Sequence, residues 1–165
     1  MPGEPEDHAL GRSRGGFGTK VHLLVDGNGI PLAASLSAGQ AHESKYVESL
    51  LGSVKLKRSG RGRPRRRPVR LVGDKGYSIP RVRRYLRRRG IKAVIPRKKN
   101  ERRGTRPFDK ETYRKRNVIE RCVSWLKESR RLATRFEKLA TTFLAMVKLA
   151  MIQRCFRVYD SSDRT

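Results

Sequence analysis

Two apolar-rich runs, residues 17–25 and 30–36, flank the tetrapeptide Asp26-Gly27-Asn28-Gly29. Asp-Gly and Asn-Gly supply the positive φ that tight hairpin turns require, so the pattern predicts an antiparallel hairpin. Residues 1–16, rich in Gly, Pro and charge, read as a flexible arm ahead of it. Beyond the hairpin, Ser44 can cap a short helix to about residue 51, with Tyr46, Val47, Leu50 and Leu51 on one face. Apolar runs at 69–73 and 91–96 read as strands. The stretch between them starts a helix at Ser78 and Pro80, keeps Val82, Tyr85 and Leu86 on its inner face and stops at Gly90. Strand, helix and strand in that order predict a right-handed crossover with parallel strands. Asp74 then falls at the carboxyl end of the first strand, where open α/β sheets place their ligands.

Downstream, Asp109 or Thr112 caps a helix predicted to run unbroken to about residue 133. Its apolar set, Val118, Ile119, Cys122, Trp125, Leu126 and Leu132, lies on one side. A final helix over 137–156 is apolar nearly all round, which predicts packing as a core element or against a partner chain. Residues 158–165 read as a frayed, polar tail. The fold class is α/β, with one domain over 17–157.

Charge narrows the partners. The 165 residues carry a formal net charge of +26, and a polyanion is needed to offset the self-repulsion. Nucleic acid fits best. No apolar run reaches the roughly 20 residues that span a bilayer, so no membrane partner is expected, and the amino terminus lacks the apolar core of a secretory signal. A cytoplasmic, nucleoid-associated protein follows. The segment 55–68 belongs to a run without a single acidic residue and is broken by Gly and Pro, which predicts a disordered or weakly ordered basic loop touching phosphates. Cys122 and Cys155 read as reduced thiols, and the three histidines have no metal-ligand spacing.

Four residues of the predicted 109–133 helix stand apart from its apolar side. At 3.6 residues per turn, Tyr113, Arg116, Glu120 and Lys127 share an arc of roughly 60°. One carboxylate thus lies among three groups suited to phosphate: a planar fork, a point charge and a ring able to hydrogen-bond or stack. An exposed face with an Arg116–Glu120 salt bridge accounts for the same residues without function. Asp74 alters the balance, because Mg²⁺ takes one or two carboxylates per ion and keeps its other positions for water and phosphate. A strand-end aspartate and a helix glutamate can meet that demand. Trp125 reads as core rather than a base-stacking platform. His42-Glu43 either approaches the site or simply starts a helix beside Ser44, and the second account is the simpler.

The spacing Tyr113-x2-Arg116-x3-Glu120-x6-Lys127 resembles the Y-R-E-K signature of insertion-sequence transposases of the IS4/IS5 type. LVGDKGY around Asp74 resembles the second aspartate motif of the same family, and GGFGTKVHLLVDGNGIPL the hairpin upstream of it. The resemblance implies an RNase H-like DDE fold, a mixed sheet flanked by helices, in which three carboxylates hold two Mg²⁺ ions, with Mn²⁺ as an alternative. It places Asp74 and Glu120 as catalytic and metal-binding residues and Tyr113, Arg116 and Lys127 on DNA. It implies transposon ends and target DNA as partners. The first aspartate of the family precedes the hairpin; here only Glu4, Glu6 and Asp7 do, in a Pro- and Gly-rich stretch. The expectation is an incomplete domain lacking its first catalytic strand and inactive in cleavage alone, either a truncated copy or the downstream product of a two-frame gene, with an upstream transposase portion or a homo-oligomer as its protein partner. The rival reading is a non-catalytic basic protein bound to RNA or the ribosome.

Overall fold

Asp26 closes the first hairpin with its side chain: Oδ1 accepts from the N–H groups of Asn28 and Ile30, both at 2.9 Å, and Gly29 takes φ +86°. That is the Asx-turn chemistry expected of Asp and Asn in such a sequence. The computed structural model describes residues 8–13, 15–57, 60–101 and 107–162. Within them β1 (Gly11–Ser13), β2 (Gly16–Val25) and β3 (Pro31–Ala38) form an antiparallel sheet in the order β1-β2-β3. The predicted hairpin is β2 and β3. The arm is shorter than 1–16, because Gly11 and Arg12 pair with Gly18 and Phe17.

A 3₁₀ turn at Glu43–Tyr46 leads into α1 (Val47–Ser53), whose Val47, Leu50 and Leu51 are buried; Ser44 falls inside that turn rather than at the cap, where Tyr46 stands without a side-chain cap bond. The strands β4 (Arg70–Val72) and β5 (Lys92–Val94) pair in parallel on either side of α2 (Pro80–Arg88), as the crossover pattern predicts. Proline at the first turn opens α2, and Gly90 ends it at φ +64°. There Ile91 N–H donates to Leu86 O and Gly90 N–H to Arg87 O, the paired bonds of a Schellman stop. The basic loop is more ordered than its composition predicts. Leu56 and Arg65 exchange backbone hydrogen bonds at 2.9 and 2.8 Å, and Arg67 donates to Arg89 O at 2.8 Å.

The long helix predicted over 109–133 is three helices: α3 (Lys110–Arg114), α4 (Asn117–Glu128) and α5 (Arg130–Thr134). Asp109 caps α3 as expected, accepting from Thr112 N–H at 3.0 Å. The first break comes where Arg116 N–H bonds Tyr113 O, three residues back, tightening the turn out of α geometry. The last helix, α6 (Ala140–Ser162), extends into the predicted tail. Only one of its stripes is buried. Phe143, Val147 and Met151 recur every fourth residue and pack on Leu23, Ala34, Leu36 and Leu132, whereas Leu149, Ile152 and Phe156 stay exposed.

The expectation of one domain over 17–157 meets a chain that divides into two compact units, Met1–His42 with Val118–Thr165, and Glu43–Asn117. The first has the antiparallel hairpin against α6 as its core. The second buries Val82 and Leu86 of α2 together with Ile91, Val94 and Ile95. Fully burying one such aliphatic side chain stabilises a fold by about 1.5–3 kcal/mol.

Candidate metal and DNA site

Asp74 directly follows β4, and its carboxylate closes the turn it begins. Oδ1 accepts from Gly76 N–H at 2.8 Å and caps the 3₁₀ turn Lys75–Tyr77. The other oxygen, Oδ2, accepts no hydrogen bond among the described residues. Backbone thus orients one oxygen and leaves its neighbour for a ligand. Tyr77, at the end of the same turn, has its hydroxyl pKa pushed up to about 12 by burial first, then by the charges of Glu43 and Asp74. The phenol stays protonated and can donate.

Glu43 is the residue that sequence reasoning set aside. Its 3₁₀ turn packs on the Asp74 turn, so its carboxylate comes to the same place. A Cβ built at Gly76 would lie 3.0 Å from Asp74 Oδ1 and 3.7 Å from Glu43 Oε2. Glycine therefore leaves a cradle edged by two carboxylates. Its donors are the hard oxygens that Mg²⁺ and Mn²⁺ take. No three His, Cys, Asp or Glu side chains cluster as a metal cage among the described residues. A two-carboxylate site completed by water and phosphate needs no such cage.

Of the other predicted residues, Tyr113 lies on α3 and Arg116 in the turn after it, with the Arg116 guanidinium 5.7 Å from the Tyr113 ring centre and the Phe108 ring tilted against it at 5.2 Å. Those two are brought together. Glu120 and Lys127 are exposed on α4, seven residues apart and so on one face, opposite buried Cys122 and Leu126. The predicted continuous stripe is therefore divided by the break at Lys115 and Arg116. Asp74, Tyr113 and Arg116 belong to the Glu43–Asn117 unit, Glu120 and Lys127 to the other. Asp26 is consumed by its own turn. Glu4, Glu6 and Asp7 lie outside the described residues.

Trp125 is half-buried, with the guanidiniums of Arg154 and Arg157 at 5.6 and 5.7 Å from its ring centre. Its ring packs against α6, in keeping with an intramolecular role, though arginines replace the purely apolar surroundings expected. Cys122 is a buried free thiol, its pKa raised chiefly by burial. No described helix is long and apolar enough to cross a membrane.

A mixed α/β chain that combines a strand-end aspartate, an exposed helix glutamate and a high positive charge suits a protein that works on nucleic acid. The family model of the transposase DDE domain matches residues 2–153. A Burkholderia cepacia protein named as a transposase for insertion sequence element IS402 is 32% identical over 163 residues, covering 99% of this chain and 74% of its own. A Brucella ovis protein named as a transposase for insertion sequence element IS6501 is 32% identical over 133 residues, covering 80% of this chain and 93% of its own. No solved structure matches significantly. The chain belongs to the family of insertion-sequence DDE transposases. Its functional class is accordingly DNA transposition, and its partner is DNA.

Proposed function

We propose that this protein contributes Asp74 and Glu120, as metal-binding carboxylates on an RNase H-like framework, to DNA strand cleavage and transfer at the ends of an insertion sequence. The observation that carries the reading is the Asp74 carboxylate, fixed through one oxygen by Gly76 N–H and open at the other. A bound divalent ion, Mg²⁺ or Mn²⁺, polarises the scissile phosphate and activates the attacking oxygen. Asp74 supplies a ligand oriented before DNA arrives, so no reorganisation is needed at the reacting phosphate. Glu120 is the other carboxylate assigned to metal, on a helix face that is exposed. Arg116, resting on the Tyr113 ring, presents its fork to a phosphate, and Lys127 adds a point charge on the Glu120 face. The spacing of Tyr113, Arg116, Glu120 and Lys127 supports an IS4/IS5-type assignment. The protein acts in the cytoplasm, on nucleoid DNA.

Excision of the complete element in cells tests the roles. Asp74→Asn and Glu120→Ala are each expected to lower excision on the order of 100-fold or more, as loss of a metal ligand should. Protein level and DNA binding should stay near parental. Parental excision by the Glu120→Ala element would remove Glu120 from the site.

A further inference from the structure

Glu43 and Asp74 are remote in sequence, yet a carboxylate oxygen of each lies close to Gly76, Asp74 Oδ1 at 3.0 Å and Glu43 Oε2 at 3.7 Å from where a Cβ would stand. The approach has three separate structural causes. The 3₁₀ turn of Glu43 buries its own Ser44 and leads into α1, whose Val47, Leu50 and Leu51 are buried. The Asp74 turn is held by the Gly76 bond and by the Tyr77 ring, which lies 3.3 Å from where a Cβ at Gly73 would be. Gly76, without a side chain, lets the two turns meet. Two carboxylates so placed repel one another, and a divalent cation between them offsets that repulsion. No described lysine or arginine ion-pairs with Asp74, in a chain that carries 41 of them.

We propose that Glu43 is a further metal-binding carboxylate of the transposase, sharing a divalent cation with Asp74 in the cradle over Gly76. This rests on the reading of Asp74 as a metal ligand. Mg²⁺ accepts one or two carboxylates and retains several waters, so Glu43 engages the ion directly or through one of those waters. The Tyr77 hydroxyl, protonated at neutral pH, is available to donate to a carboxylate oxygen or an ion-bound water. Glu43 and Asp74 lie in one compact unit.

Mn²⁺ binding to the full chain, followed by the electron paramagnetic resonance signal of the free ion, is the test. Glu43→Gln is expected to weaken Mn²⁺ binding about tenfold or more. Gly76→Ala, which keeps both carboxylates but places a methyl 3.0 Å from Asp74 Oδ1, should weaken it comparably while leaving the thermal transition in place. Parental affinity in both variants, with affinity lost in Asp74→Asn, would overturn the role of Glu43 and leave Asp74 standing. Parental affinity in Asp74→Asn would overturn both. If Glu43→Gln does not fold, Gly76→Ala decides alone.

Discussion

His22 is buried in β2, its Nε2 2.7 Å from Ser37 Oγ on the paired strand. Burial first, then the charge of Lys20, lowers its pKa from the ordinary 6.5. The unfolded chain therefore takes up a proton in a range where the folded chain resists it. Stability from this group is complete above about pH 6.5 and is lost as pH falls toward the folded value. Thermal unfolding at about pH 7.5 and about pH 5.5 should show that loss, and His22→Gln should flatten it. Arg135 makes a second sharp prediction. It donates to the carbonyls of His8, Glu137 and Lys138 and to Thr19 Oγ1, and lies 5.1 Å from the Phe143 ring centre. It does so at φ +43°, a conformation natural to glycine. Arg135→Ala is expected to cost about 2–4 kcal/mol in chemical denaturation. Arg135→Gly should cost about 1 kcal/mol less, because the backbone strain goes with the side chain.

Among the elements, α6 gives the clearest contrast between pattern and packing. Phe143 and Leu149 are both large apolar residues of one helix, but only the first meets β3 and its neighbours. Phe143→Ala should destabilise by about 3–5 kcal/mol, whereas Leu149→Ala should stay within about 0.5 kcal/mol. Urea unfolding of the two variants checks the difference. The helical period located apolar residues on this segment correctly, but a nearly encircling pattern does not say which stripe finds a partner. The break between α3 and α4 was equally hidden. Tyr113, Arg116 and Asn117 are acceptable in a helix, and the contraction at Arg116 is a backbone event with no strong side-chain signal. Where a side chain itself makes the boundary, as at Asp109, Pro80 and Gly90, sequence and structure agree.

Across the whole molecule, the charge of +26 sets how the protein meets DNA. Arg61, Arg63 and Arg66 are exposed in the loop tied down by the Leu56–Arg65 bridge and by Arg67. Affinity for duplex DNA should fall steeply with salt. Replacing those three arginines with glutamine should reduce the slope of log K against log salt by about 0.9 for each phosphate they no longer neutralise. Fluorescence anisotropy over a salt series measures it. Asp74→Asn should leave that slope unchanged, which separates holding DNA from preparing it for cleavage.

Sequence alone determined what residues a few positions apart decide between themselves: the Asp26 hairpin, the Gly90 stop, the Asp109 cap, and Asp74 at the end of a parallel strand. The Y-R-E-K spacing and LVGDKGY likewise carried the family, because family chemistry is written in residue types and intervals. Tertiary structure alone decided that β1 joins the sheet, that one stripe of α6 is buried, and that Glu43 shares the cradle of Asp74. Those outcomes depend on turns and helices meeting across long stretches of chain, and the free energy of such meetings lies in packed surfaces that no local pattern contains.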